Sequence, residues 1–334
     1  MNQQSETPLL VVENLRTVFD LTAGTLKAVD GVSFSLARGK ILGIVGESGS
    51  GKSVTGLSLM HLVPKPGRIA GGKILFEGHN VIDMNDDALR RLRGGRMAMV
   101  FQDPMMTLNP VLRIDTQLVE TVQAHANVSR ESALERARSM LALVGIAAPD
   151  ERLRNYPHQL SGGMRQRIVI AIALCNDPDI IIADEPTTAL DVTIQAQILS
   201  EVQSMCEKTG TSLIWITHDL GVVAGLADKV CVMYAGKIVE SGSVKDVIDH
   251  TCHPYTQGLI DSVPSRNRRG QPFHFIQGMV ENPLYLPPGC AFQNRCRYVA
   301  PECREPQDLR YMDEDHYSRC RLDSLEPTSS EVEP

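Results

Sequence analysis

The sequence has little that would mark a nucleic-acid binder, a secreted protein or a membrane span. Its 334 residues carry 33 lysines and arginines against 40 aspartates and glutamates, a formal net charge of −7. The basic excess usual in nucleic-acid partners is therefore missing. Aromatic residues make up only 4% of the chain, with one tryptophan, too few for a base-stacking surface. The opening stretch MNQQSETPLL has neither the basic nor the apolar region of a secretion signal. The longest apolar run, Ile168 to Cys175, is too short to span a bilayer. The expectation is a soluble, cytoplasmic chain without a nucleic-acid partner, free to dock onto a membrane protein.

What is present is ordinary in bulk and specific in detail. Hydrophobic content of 43% and charged content of 22% suit a globular fold of one large or two modest domains. Residues 46–53, Gly46-Glu47-Ser48-Gly49-Ser50-Gly51-Lys52-Ser53, fit the phosphate-binding pattern GxxxxGK[ST] at every fixed position. They follow the apolar run Ile41 to Val45 and precede a helix-compatible stretch, Val54 to Leu62. The glycines let backbone N–H groups curl around a polyphosphate where a Cβ would collide. Lys52 then offers a charge to the β- and γ-phosphates, and the Ser53 hydroxyl a ligand to Mg²⁺. A nucleoside triphosphate is the expected ligand.

A second constellation fixes the reaction. Ile180-Ile181-Ile182-Ala183-Asp184-Glu185 is an apolar strand ending in two carboxylates, which such a strand delivers at the sheet edge beside the phosphate loop. Asp184 is expected to hold Mg²⁺ and Glu185 to act as general base on the attacking water. Alternating residues from Leu9 to about Leu36 read as antiparallel strands with a turn at Thr22–Gly24. Gly71 to Gly78, Met97 to Phe101, Ser212 to Thr217 and Val230 to Tyr234 read as further strands. Leu108 to about Leu143 reads as largely helical, with Ser129 a capping residue. Strands alternating with helices predict an α/β core with a mainly parallel sheet.

Leu160-Ser161-Gly162-Gly163-Met164-Arg165-Gln166 resembles the signature of the ATP-binding-cassette (ABC) ATPases. It lies 23 residues before Asp184 and 59 after Gln102, the order that family shows. Met164 stands where the family usually has Gln. The resemblance implies head-to-tail closure of two ATPases, with Ser161, Gly162 and Gly163 gripping the γ-phosphate bound to the partner's loop. It also implies roles for Gln102 (a Mg²⁺ and water contact), for Ala189-Leu190-Asp191 (a loop crossing the dimer interface) and for His218 (a γ-phosphate and water contact). Phe19 is the candidate adenine-stacking aromatic.

Longer phrases narrow the likeness: Phe101-Gln102-Asp103-Pro104, Tyr156-Pro157-His158-Gln159, Asp184 to Gln197, Met233-Tyr234-Ala235-Gly236 and His253-Pro254-Tyr255-Thr256. Together they resemble the D-type ATPase subunits of dipeptide and oligopeptide importers. That likeness implies a nucleotide-binding domain over 9–250 with a helical subdomain at about 103–175, and an antiparallel β subdomain. A small cysteine-rich domain over 251–322 and a disordered tail over 323–334 follow. It implies as partners a second homologous ATPase, two integral membrane permease subunits and, indirectly, an extracytoplasmic binding protein. The place of work is then the cytoplasmic face of the inner membrane. Peptides are the expected cargo, with nickel, glutathione and oligosaccharides as alternatives, and a soluble non-transport cassette ATPase as a distant one.

The eight cysteines divide. Cys175, Cys206, Cys231 and Cys252 are scattered and read as small buried hydrophobes. Cys290, Cys296, Cys303 and Cys320 crowd into the spacing C-x5-C-x6-C-x16-C, which in a cytosolic chain points to metal. Four thiolates suit an iron–sulfur cluster or zinc, although zinc modules usually pair cysteines two to four apart. The family likeness implies a 4Fe–4S cluster, with a structural role. Beyond His250, Ser265 to Gly270 reads as a linker rich in arginine.

Overall fold

Strand residues that are apolar without alternation have no face to give to water, and here they lie at the centre of one sheet. In a computed structural model, which describes residues 8–187, 191–263, 275–313 and 315–325, two long strands come first, β1 (Leu10–Leu21) and β2 (Gly24–Leu36). Then follow β3 (Ile41–Val45), the phosphate loop and α1 (Lys52–Leu59). Next are β4 (Gly67–Phe76), β5 (His79–Asn80), α2 (Asp86–Leu92) and β6 (Met97–Val100). A helical stretch comprises α3 (Pro104–Thr107), α4 (Ile114–Gln123), α5 (Arg130–Leu143), α6 (Pro149–Leu153) and α7 (Gly162–Leu174). The chain then alternates: β7 (Ile180–Asp184), α8 (Val192–Thr209), β8 (Ser212–Thr217), α9 (Leu220–Leu226) and β9 (Lys229–Tyr234). It ends with β10 (Lys237–Ser243), α10 (Val244–Asp249), α11 (Pro254–Asp261), β11 (Arg310–Tyr311) and β12 (Tyr317–Ser318).

Two sheets result, one of four strands in the order β2-β1-β4-β5 and one of eight in the order β11-β12-β10-β9-β3-β8-β7-β6. The small sheet is antiparallel, whereas β9, β3, β8, β7 and β6 run parallel. Period-two geometry sorts the parallel strands between two cores. Leu42, Ile44, Ile180, Ile182, Ile214 and Ile216 pack with the small sheet. Ile41, Val45, Ile181, Ala183, Leu213 and Trp215 pack with the helical stretch on the other side. Both faces of the parallel sheet are thus covered, and only its strand ends are left for chemistry.

Several elements differ from the sequence reading, each for a local reason. The helix expected over Val54 to Leu62 stops at Leu59, with His61 turned left-handed at φ 51°. The strand expected from Gly71 begins at Gly67, because β1 offers it a partner along that whole length. Leu108 to Leu143 is two helices separated by residues 124–129, and Pro110 keeps the first turn of the stretch out of helix. Ser129 does cap α5, its hydroxyl accepting from the Ser132 amide at 3.2 Å.

The end of the chain also departs from expectation. Instead of a free tail from Asp323, the first residues are held: Arg310 bonds Asp323, and the Leu325 amide donates to the Thr251 carbonyl at 3.2 Å. Residues 326–334 lie outside the described residues, as do Ala189 and Leu190 and the expected linker at Ser265 to Gly270. Among the described residues, no helix is long and apolar enough to cross a membrane.

Candidate functional site

The phosphate loop leaves the carboxyl end of β3 and closes onto α1 through Gly51, whose φ of 100° suits glycine. A Cβ there would lie 2.2 Å from the Ala28 carbonyl oxygen, so only glycine fits. Lys52 is buried at 4% exposure, and its ammonium donates to the carbonyls of Gly46 at 2.7 Å and Glu47 at 3.0 Å. Burial pushes its pKa below the ordinary lysine range, against the pull of Glu185, Asp184 and Glu47. The Ser53 hydroxyl donates to the Asp184 carboxylate at 2.9 Å. Burial raises the Asp184 pKa despite that bond. A hydroxyl and a desolvated carboxylate converging on one point are the hard oxygen donors that Mg²⁺ prefers.

The parallel strands bring the other groups to the same edge. Following the sheet order, β3 delivers the phosphate loop, β8 His218, β7 Asp184 and Glu185, and β6 Gln102. Glu185 is where they meet. Its carboxylate lies 3.3 Å from His218 Nδ1, 3.5 Å from Gln102 Nε2 and 3.9 Å from Lys52 Nζ. It sits in the left-handed region at φ 45°, its amide donating to the Ile216 carbonyl at 2.9 Å. A strained backbone fixed from a neighbouring strand holds this carboxylate where a bound water could lose a proton to it.

A cavity of about 330 Å³ joins these groups to the small sheet. Phe19 lines it, as do Ser48, Gly49, Gly51, Lys52, Ser53, Gln102 and Glu185. Gly46 and Ser50 are buried behind the loop, and Glu47 faces away, toward Arg295. Pro283 also lines the cavity. No motif in the sequence announces that residue.

Ser161, Gly162, Gly163 and Asp191 do not line the cavity. Ser161 caps α7, its hydroxyl accepting from Met164 at 3.3 Å, and Asp191 caps α8, accepting from Ile194 at 3.0 Å. A Cβ on Gly163 would lie 3.0 Å from Ile194, so the two helix N-termini adjoin at the surface. After Gln102 in the chain, Met106 and Val111 are 83% and 76% exposed. The sequence reading passed over these two exposed apolar side chains.

Far along the chain, Cys290, Cys296, Cys303 and Cys320 line one small cavity. The Cys290 amide donates to the Cys303 carbonyl at 2.8 Å, tying two of the cysteines together. Burial raises the Cys290 thiol to about 11 and lifts those of Cys296 and Cys320 as well. Among the described residues, the three-donor group that closes within 4.8 Å is a different one, Glu240, Cys252 and His316. Among the described residues, no three of the four clustered sulfurs lie within 4.8 Å of one another, and tetrahedral zinc would need them to converge. An iron–sulfur cluster binds each thiolate at a separate iron, so it needs no such convergence. Cys252 is buried as expected, but its thiol contacts the carbonyls of His250 and Asp323 at 3.1 and 3.3 Å.

Comparison with known proteins agrees with this geometry. Residues 29–188 match the family described as ABC transporter, and residues 239–303 match the oligopeptide/dipeptide transporter C-terminal region. A probable peptide ABC transporter ATP-binding protein of Sinorhizobium fredii is 50% identical, covering 89% of each chain. The dipeptide transport ATP-binding protein DppD of Bacillus subtilis is 51% identical over 86% of each chain. Among solved structures, the dimeric ATP-binding cassette MJ0796 bound to ADP and phosphate superposes with a TM-score of 0.64. It is 26% identical, over 70% of this chain and 98% of that one.

Proposed function

The chain belongs to the ABC transporter family, and we propose how its residues share the work of an ATP-hydrolysing subunit in a peptide importer. The observation that carries this reading is the meeting of three groups, His218, Gln102 and Lys52, on Glu185 beside the phosphate loop. Phe19 packs against the base. The loop amides and Lys52 take the phosphates, and Lys52 exchanges its bonds to Gly46 and Glu47 for phosphate oxygens. Ser53, Asp184 and Gln102 hold Mg²⁺, which neutralises charge on the β- and γ-phosphates when bound. Glu185 accepts the proton of the attacking water, and His218 and Gln102 hold that water in line.

Ser161, Gly162, Gly163 and Asp191 act across an interface. The exposure of Ser161, Gly162 and Asp191, away from the cavity of their own chain, supports closure against a second, homologous ATPase. The exposed Met106 and Val111, in the segment that follows Gln102, suit contact with one of two membrane subunits at the cytoplasmic face, fed from outside by a binding protein. Cys290, Cys296, Cys303 and Cys320, which line one small cavity, would hold a 4Fe–4S cluster, with zinc as the alternative. The bound metal would supply the positive charge that lets these buried thiols ionise.

The test is reconstitution of the chain with its membrane subunits in vesicles. Peptide uptake should require ATP hydrolysis by this chain, and Glu185→Gln should lose turnover while still binding ATP. Near-parent turnover by that variant would refute the assigned base. Analysis of iron, sulfide and zinc in anaerobically purified protein decides the metal.

A further inference from the structure

The region after His250 fastens the phosphate loop at Glu47, and does so twice. The Glu47 amide donates to the Tyr255 hydroxyl at 2.7 Å. The Glu47 carboxylate takes both arms of the Arg295 guanidinium, Nη1 donating to Oε2 at 2.6 Å and Nη2 to Oε1 at 2.9 Å. Tyr255 is fully buried, and the Arg295 side chain is 4% exposed.

The guanidinium is itself held on every side. Its Nε donates to the Gln277 carbonyl at 3.0 Å, and its Cζ lies 5.8 and 5.7 Å from the ring centroids of Tyr234 and Phe292. A bidentate fork packed against aromatic faces is the setting in which arginine is most preorganised and least replaceable by lysine. Attachment of the region does not need this contact, since β12 pairs with β10 and His316 bonds Glu240 elsewhere.

What the contact does is act on the loop. The Lys52 ammonium donates to the Glu47 carbonyl at 3.0 Å, so Arg295 lies two linked contacts from the phosphate-binding lysine. A Glu47 carboxylate without its partner would stand as a bare negative charge in a loop that must accept a polyphosphate. Arg295 neutralises it and draws it aside. In the sequence Arg295 directly precedes Cys296, whose thiol lines the cysteine cavity.

We propose that Arg295 is a positioning residue for the phosphate loop and makes nucleotide affinity depend on the state of the cysteine segment. The proposal rests on the nucleotide role assigned to the loop above. Coupling of this kind is reciprocal, so bound nucleotide must also tighten the segment.

Binding of a fluorescent ATP analogue to the full chain tests it, together with amide exchange over residues 289–297. Arg295→Met should weaken binding by about tenfold or more, as truncating a buried charge pair does. Arg295→Lys should recover part of that loss. Adding Glu47→Gln to Arg295→Met should restore affinity, because the stranded charge is removed, and a residue that merely held the fold together would show no such rescue. ATP should slow exchange over 289–297 in the parent chain and not in Glu47→Gln. A folded Arg295→Met that binds within about twofold of the parent would overturn the proposal. So would absence of ATP-dependent protection in the parent, a readout that stands even where Arg295→Met does not fold. Failure of the nucleotide role itself looks different: the parent would then bind no better than Lys52→Ala.

Discussion

The strand edge and the cysteine segment solve the same task, gathering side chains from distant positions, by opposite means. At the edge, every residue of β3, β7 and β8 is buried, and the groups that follow them inherit the sheet's register. Between residues 275 and 325 the described chain has two strands of two residues each and short 3₁₀ turns at Gln293–Arg295 and Pro301–Arg304. Its buried apolar side chains are Phe292 and Cys303. A segment with so little core depends on where it docks and on what its thiols hold. The first site is preorganised by the fold. The second is an appendage that borrows the fold of the first.

Mutations should separate the two regimes, and the largest effect belongs to the edge. Glu185→Gln removes the one proton acceptor on which His218, Gln102 and Lys52 converge, so hydrolysis should fall by about 10²- to 10⁴-fold. Phosphate release measures this, and unchanged melting temperature with retained nucleotide binding would show that the scaffold is indifferent to its catalytic group. In the cysteine segment the expectation reverses. Phe292 is 3% exposed between Tyr234, Tyr255 and His253, and Phe292→Ala should cost about 3–5 kcal/mol locally. Limited proteolysis should then cut within 275–325 before the rest of the chain unfolds. Simultaneous loss of the whole fold would break the distinction drawn here.

Metal removal probes the border between the regimes. If Cys290, Cys296, Cys303 and Cys320 hold the proposed cluster, its removal by a chelator should loosen the segment that carries Arg295, and ATP affinity should fall by about three- to tenfold. The same nucleotide titration, before and after iron release, checks it. Unchanged affinity would make the cysteine segment a plain staple with no voice in the nucleotide site.

The two regions were also unequally legible. Lys52, Asp184, Glu185 and Ser161 could be named from the sequence because short motifs at fixed offsets from a strand or helix end impose their own geometry. Assembly of the first three needed only the parallel order of the strands, which the alternation of strand and helix implied. Arg295 had no reading from the sequence, because its partner Glu47 is 248 residues away and only tertiary docking joins them. Pro283 reaches the cavity in the same way. Cys252 read as a simple hydrophobe, yet it lies within 4.8 Å of the buried Glu240 and His316, which no spacing rule connects. The stretch from Leu108 to about Leu143 is largely helical as read, but its break was missed because Pro110 and the chain between α4 and α5 act against propensity at single positions.

The smallest effect tests whether the edge is as robust as its burial suggests. At the opposite end of the same strands, Asp179 precedes β7 and is bonded by Arg38, at 2.6 Å, and by Arg96, both of which also bond Glu77. Burial would raise the Asp179 carboxyl, but hydrogen bonds from Arg96 and Arg38 outweigh it and hold the pKa below the ordinary value of 3.8. A carboxyl lowered in the folded state adds stability above its unfolded pKa and loses it as pH falls through the folded value. The arginines are about half exposed, so screening limits the contribution, and Asp179→Asn should cost about 1 kcal/mol near neutral pH. The deficit should shrink once the pH drops below about 4, where the parent's carboxyl also begins to protonate. ATP turnover should not change, because strands buried on both faces do not pass a loosened brace at one end to the carboxylate at the other. A turnover that tracks the Asp179→Asn deficit would show that the strand edge, like the cysteine segment, takes its geometry from distant attachments.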